Sequence, residues 1–263
     1  MKQRLIFATG NEHKMKEIRE ILDESKYEII SMKEAGVDID IVEDGKTFEE
    51  NALIKAKAVM EVTGQLTLAD DSGLEIDALN GEPGIYSSRY LGEDTSYVKK
   101  NSVILERLKD VPEEKRSARF VCAVAAAFPD GQTKVIRGTM EGIIGYEIKG
   151  ENGFGYDPIF YLPQFGCSSA ELEPEKKNEL SHRGEGLRKM RKVLEEKLEQ
   201  GAISGVQERV VYVKEDGQAP AEPTPRPELP NAVPEDVQQV VKNFRPIADE
   251  ASGMLRTYLK KAR

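Results

Sequence analysis

The sequence has no tryptophan, only two cysteines and two histidines, and no long apolar stretch. Each shortage removes a class of protein. Cys122 and Cys167 could form one pair, but two cysteines in 263 residues make neither a disulfide framework nor a thiolate zinc site. His13 and His182 are too few for a histidine-based zinc centre. The longest apolar run, Val121 to Phe128, falls far short of the roughly 20 residues needed to cross a bilayer. The N-terminal stretch MKQRLIFATGN starts basic, yet its apolar part stops at Thr9-Gly10-Asn11 with no signal-peptide core or cleavage site, so a cytoplasmic protein is expected. Excess positive charge is missing too. With 38 Lys and Arg against 47 Asp and Glu, the net charge of -9 excludes a general nucleic-acid coat, and any polyanion must meet a local basic site. The composition, 39% hydrophobic and 32% charged, is polar but sufficient to bury a core, in one large domain or two modest ones.

Along the chain, Arg4–Thr9 is a short apolar run ending in Gly10-Asn11, after which Met15, Ile18, Ile21 and Leu22 repeat at helical spacing. This predicts strand, glycine turn, helix. Glu28 to Met32 predict a second strand, and Gly36 to Gly45 an acidic loop. Thr47 and Glu50 form a capping-box pattern for a helix carrying Phe48, Ala52, Lys55-Ala56 and Val59. Leu66–Ala69 predicts a strand that delivers Asp70-Asp71-Ser72-Gly73 at its end. Further strands are predicted at Arg119–Phe128 and from Lys134 through Met140, extending towards Ile144, with a helix from Ser96 to Leu108 and a closing helix from Glu185 to Leu198. Alternating helices and strands predict the α/β class with a mixed sheet. Residues 1–200 form this unit. Residues 201–233 contain a proline-dense stretch that predicts an extended linker, and 234–263 read as an amphipathic helical appendage, interrupted at Pro246, that needs a partner surface, or as a loose tail.

Four segments could carry chemistry. Thr9-Gly10-Asn11-Glu12-His13-Lys14 falls where strand gives way to helix, so free backbone N–H groups and Lys14 could hold phosphate, although an ordinary turn with a capping asparagine has the same pattern. It is neither a Walker A loop nor G-x-G-x-x-G. Asp70 and Asp71 point to opposite sides of an extended backbone, so one faces a ligand while the other braces the turn. The ligand-facing carboxylate suits Mg²⁺, with Glu43-Asp44 of the acidic loop as a source of a second ligand. Gly153-Phe154-Gly155-Tyr156-Asp157-Pro158 combines close backbone approach with flat faces for a purine, or is a turn with packing aromatics. Lys177 and Ser181-His182-Arg183-Gly184 precede the closing helix and offer cations to phosphate or a base carbonyl.

Taken together and in order, TGNEHK, VEDGKTFEENALIKA, LADDSGLEIDALNGEPGIYSSRY, ARFVCAVA, GENGFGYDPIF and ELSHRGEGL strongly resemble the inosine triphosphate pyrophosphatase family, over about Arg4 to Leu198. The resemblance implies an elongated mixed sheet flanked by helices, two lobes with the active site between them, and a homodimer. It implies hydrolysis of ITP, dITP and XTP to monophosphate and pyrophosphate with Mg²⁺, no nucleic acid or membrane partner, and a role in cleansing the nucleotide pool. By the same resemblance, Thr9 through Lys14 bind the triphosphate, Asp71 holds metal or orients water, Ser72 contacts substrate and Glu43 is the second metal ligand. Phe154, Gly155, Tyr156 and Asp157 bind the base, and Lys177, His182 and Arg183 make further substrate contacts. The segment beyond Gly201 lies outside this pattern, which leaves an unknown protein partner open for the tail.

Because the proline-rich stretch separates the tail from a unit with its own α/β pattern, a chain ending near Gln200 is expected to fold and to hydrolyse ITP like the full chain. Circular dichroism and pyrophosphate release on the truncated protein check this. Loss of solubility or activity would make the tail part of the catalytic unit.

Overall fold

The computed structural model describes residues 2–22 and 26–199. The expectations for 201–233 and 234–263 lie outside the described residues. The chain runs β1 (Gln3–Phe7), α1 (Glu12–Ile21), β2 (Tyr27–Ser31), α2 (Phe48–Thr63), β3 (Thr67–Ile76), α3 (Tyr97–Arg107), β4 (Ser117–Ala127), β5 (Thr133–Ile144), β6 (Phe160–Leu162), β7 (Cys167–Ser168), α4 (Pro174–Leu180) and α5 (His182–Glu199). The strands form one mixed sheet in the order β2-β1-β3-β4-β5-β6-β7. β1 is parallel to β2 and β3, and every later pairing is antiparallel.

β3, β4 and β5, of 10, 11 and 12 residues, are the longest strands among the described residues. β4 is buried on both faces, which is why its sequence, Ala118 to Ala127, is nearly all apolar rather than alternating. On one sheet face, α1 and α5 cover a cluster around Leu5, Phe7, Ile18, Leu68, Val124 and Leu187. Further along that same face, Leu74, Ile76, Phe120, Ile144 and Phe160 form a second cluster with Ile104 and Leu108. α2 covers the opposite face through Phe48, Ala52, Ala56 and Val59, against Ala69, Val121, Ala123 and Ala125. The two clusters sharing a face are the cores of two lobes.

Several elements depart from the sequence expectations. Asp70-Asp71-Ser72-Gly73 does not end a strand: it sits inside β3, paired with Val124 to Val121 of β4. The turn preference of those residues is local, and ten consecutive pairings with a fully buried neighbour outweigh it. The capping box at Thr47 is half formed. Thr47 Oγ1 accepts from the Glu50 N–H, but the Glu50 carboxylate accepts from Lys46 N–H instead of the cap residue. Lys177 precedes the closing helix, as expected, and lies in a short helix of its own, α4, whereas His182 and Arg183 are the first turn of α5, which starts three residues before Glu185. That early start needs close packing on the sheet. A Cβ on Gly138 of β5 would sit 2.2 Å from the carbonyl oxygen of His182, so only glycine lets the first turn of α5 rest there.

Arg116, 1% exposed, joins the second lobe at the foot of β4. Its guanidinium donates to the carbonyls of Leu108 and Val111 after α3 and of Ile144 and Gly145 at the end of β5, and it lies 4.2 Å from the Tyr146 ring centroid. Arg116→Leu is expected to lower unfolding free energy by about 3 kcal/mol, since four acceptors, two of them in fully buried bonds, lose a charged donor. Arg116→Lys should recover only a minor part of it, because an ammonium cannot reproduce the planar fork. Urea denaturation of the three proteins measures both.

Candidate active site

β1 pairs with β3 only at Thr67 and Leu68. Beyond that point the edge of β3 is open until the 83–87 segment covers it, where Glu75 bridges Pro83 and the Leu74 N–H donates to Ser87 Oγ. Two residues earlier, the Ser72 backbone faces this same edge. An open strand edge exposes side chains from both faces, and here they line a cleft of about 370 Å³ between the lobes. The loop is drawn this close by Gly73: a Cβ there would lie 2.4 Å from the Gly84 carbonyl oxygen and 2.5 Å from Ser87 Oγ.

On the α1/α5 face, charges alternate in a chain. Lys14 Nζ lies 3.0 Å from Asp70 Oδ2, and Arg183 donates to the same oxygen through Nε and Nη2 at 3.2 Å. Arg183 Nη1 then donates to Glu17, and Lys177 bridges Glu17 at 3.1 Å and Asp157 at 2.8 Å. Asp157 also accepts from the Phe154 N–H and the Ser169 hydroxyl, which fixes the 153–157 segment to the chain of charges. Burial alone would raise the Asp70 pKa, but Lys14, Arg183 and Lys55 outweigh it and hold the carboxyl far below the usual range. Burial likewise opposes ionisation of Glu17, and Arg183 and Lys177 bring its pKa below the usual value. Cys122, 3.9 Å from Asp70, is pushed up to about 12 by burial and that carboxylate, so its thiol stays protonated.

On the α2 face, Asp71 Oδ2 accepts from Asn51 Nδ2 at 3.2 Å, and Lys55 Nζ lies 3.5 Å from Asp71 Oδ1 and 2.9 Å from Glu43 Oε2. Asn51 Oδ1 also accepts from the Gly45 N–H and so anchors the acidic loop that brings Glu43 in. Burial raises the Asp71 pKa, with Glu43 adding to it and Lys55 and Lys14 opposing. The alternation expected for Asp70 and Asp71 therefore holds, with Asp71 facing the cleft and Asp70 buried behind it.

Of the expected site residues, all line the cleft except Glu12 and His13. Both are exposed on the outer side of α1, and His13 stacks on the far side of Phe154 at 5.7 Å between ring centroids. Asp44, next to Glu43, is exposed and outside the lining. Tyr156 lines the cleft but is buried, its ring edge against Tyr97 and its hydroxyl donating to the Ser87 carbonyl. Arg183 has its guanidinium engaged by Asp70, Glu17 and Ser72. His182 stacks on Phe120, and its Nδ1 has no partner among the described residues. Burial, Arg183 and Lys177 together keep that imidazole neutral. Asn51, Lys55 and Glu17 escaped the sequence reading. Asn51 and Lys55 had a signal, since they stand four residues apart beside the apolar positions of α2, where a solvated pair is not expected.

A helix start and several cations meeting carboxylates at an open strand edge define an α/β protein built for a phosphorylated ligand. The comparisons make the class specific. The model of the Ham1 family matches residues 5–193, and the chain belongs to that family. It is 47% identical over 191 residues to the dITP/XTP pyrophosphatase of Desulforamulus reducens, covering 73% of this chain and 95% of that protein. It is 46% identical over 190 residues to the dITP/XTP pyrophosphatase of Bacillus subtilis, covering 72% and 96%. The structure of the Staphylococcus aureus Ham1 protein superimposes with a TM-score of 0.68 at 40% identity, covering 74% of this chain and all of that one. The family resemblance carried by the six motifs is thus borne out.

Glu17 tests the chain of charges without touching the cleft carboxylates. Glu17→Gln is expected to lower stability at pH 7 by about 2 kcal/mol, since it leaves two buried cations with one carboxylate each. Because the folded pKa of Glu17 is depressed, its contribution is present above the unfolded value of about 4.3 and is lost as pH falls through the folded value below it, so the two proteins draw together as the solution is acidified. Urea melts from pH 7 to pH 3.5 measure the convergence.

Proposed function

We propose that this chain hydrolyses non-standard purine nucleoside triphosphates, dITP, ITP and XTP, to the monophosphate and pyrophosphate. The observation that carries the reading is the convergence of Lys14, Lys55, Asp71 and Glu43 in one cleft of a chain so closely similar, over nearly their whole length, to dITP/XTP pyrophosphatases. Lys14 and the N–H groups at the start of α1 hold the triphosphate, which the Asn11 cap keeps oriented. Water attacks the α-phosphorus, the bond to the bridging oxygen breaks, and pyrophosphate leaves with the negative charge. Asp71 orients that water and takes its proton. Lys55, between Asp71 and Glu43, and Lys177 offset the charge that repels a nucleophile.

Among the described residues no group of three or more His, Cys, Asp or Glu side chains makes a metal site. Mg²⁺ asks for less: one or two carboxylates, with water and phosphate completing its shell. Glu43 and Asp71 already converge on a cation, the Lys55 ammonium, and offer the hard oxygens that Mg²⁺ prefers. They would hold it, and the ion would neutralise phosphate oxygens. The base lies among Phe154, His182 and Arg183, where donors meet the 6-carbonyl of hypoxanthine or xanthine but oppose the amino group of adenine. No helix among the described residues is long and apolar enough to cross a membrane. From the resemblance to its family, we read the protein as a cytoplasmic homodimer.

The test is a substrate panel with and without Mg²⁺, quantifying pyrophosphate and phosphate separately. ITP, dITP and XTP should exceed ATP by orders of magnitude and yield pyrophosphate. Phosphate as the sole product, or a pyrimidine preference, would replace this reading with another phosphohydrolase. Asp71→Asn should lower kcat by about 10²-fold or more with the fold intact, and activity within tenfold of the parent would remove Asp71 from the chemistry.

A further inference from the structure

Two consecutive residues of α3 are buried in a way that stability does not explain. Lys100 is 1% exposed and has no carboxylate within ion-pair distance among the described residues. Its Nζ donates to the Ser88 carbonyl at 2.6 Å and lies 4.8 Å from the Tyr97 ring centroid. Asn101 is 2% exposed; its Nδ2 donates to the Gly155 carbonyl at 3.1 Å while its Oδ1 has no donor among the described residues. An apolar side chain of similar size would occupy either position with less desolvation.

Their partners both line the cleft. Ser88 belongs to the segment that closes the β3 edge, and Gly155 to the segment beside Phe154. Neighbouring residues of a helix project about 100° apart, so one rigid element fixes two lining segments relative to each other. α3 is itself fixed, with Val103, Ile104 and Leu108 buried in the second lobe and Arg116 capping its end. Tyr97, from the same helix, braces Tyr156, whose hydroxyl returns to Ser87. This end of the cleft carries the aromatic side chains Tyr97, Phe120, Phe154 and Tyr156, beside the ion-paired Asp157 and Lys177.

We infer that Lys100 and Asn101 are positioning residues which clamp the aromatic end of the cleft at the width of a purine lacking a 2-amino group. The inference rests on the proposed function, which puts the base at that end. Guanine shares the 6-carbonyl of hypoxanthine and differs by one exocyclic amino group, so rejecting it depends on clearance, and a wall that yields slightly admits it. Discrimination by fit of this kind spans about 10- to 200-fold, which is the range the clamp controls.

The experiment compares the full-length parent with Lys100→Met, Asn101→Ser and the exposed-neighbour control Lys99→Met, measuring kcat and KM for dITP and dGTP, thermal midpoints, and calorimetric binding of dIMP and dGMP. Lys100→Met is expected to keep its midpoint within about 5 °C and its kcat for dITP within about threefold, while KM rises and the dITP to dGTP ratio of kcat/KM falls about tenfold. Asn101→Ser should move the ratio in the same direction, and Lys99→Met should leave it unchanged. An unchanged ratio in the folded variants overturns the clamp. So does a loss of kcat that follows the midpoint, or the collapse of both variants, since either gives the pair a structural role. If the parent releases no pyrophosphate from dITP, it is the proposed function that fails, and the ratio of dIMP to dGMP affinity in parent and variants still decides the clamp.

Discussion

The structure depends on a carboxylate that never meets solvent. Asp70 sits on the sheet face where the two apolar cores should run into one another, at the point where Leu68 belongs to one and Leu74 to the other. A charge there would be prohibitive alone, because burial removes its hydration. Lys14 from α1 and Arg183 from α5 make it tenable, and in doing so dock both helices against β3. The chain then passes through Glu17 and Lys177 to Asp157, which orients the segment bearing Phe154. A polar seam that is satisfied at every step separates two lobes, and its members are the side chains that line or support the cleft.

The second constraint is the premature end of β1. Had it continued alongside β3, the pairing would have sealed the edge at Asp71 and Ser72. Stopping after Phe7 turns the chain into Thr9-Gly10-Asn11 and aims α1 at the gap. The sheet then brings polar groups from both faces to one place: Asp71 with Lys55 and Glu43 on the α2 side, and Lys14, His182 and Arg183 on the other.

Much of this was legible, and the misses have physical causes. β4 could be read because a doubly buried strand needs a continuous apolar run, and α2 because Thr47 caps it and Phe48, Ala52, Ala56 and Val59 share a side. The extension of β3 was hidden, since Asp-Asp-Ser-Gly has turn chemistry and its strand state is imposed by β4, some fifty residues on. The start of α5 was hidden for a related reason: Gly184 and Gly186 look like breaks, yet they are the contact that lets the helix lie against Asn178 and Val124. The partners of Asp70 lie 56 and 113 positions away, a separation that no local pattern encodes. For the site, the motifs brought most of the lining residues into view, whereas Glu17 lies outside them, and Asn51, although inside one, acts by supporting another side chain.

The open edge of β3 has a consequence for how the protein coexists with its neighbours. Unpaired backbone groups on a strand edge are a template for another chain's strand, the first step towards aggregation. Here the exposed stretch is a few residues long, flanked on one side by the turn into α1 and on the other by the segment that bridges Glu75 to Pro83, with ionised side chains above and below it. A small anionic molecule fits such a gap and an extended polypeptide does not. The walls that define a binding cleft therefore also act as a guard on the sheet, and sequence changes that loosen them would be felt in solubility as well as in recognition.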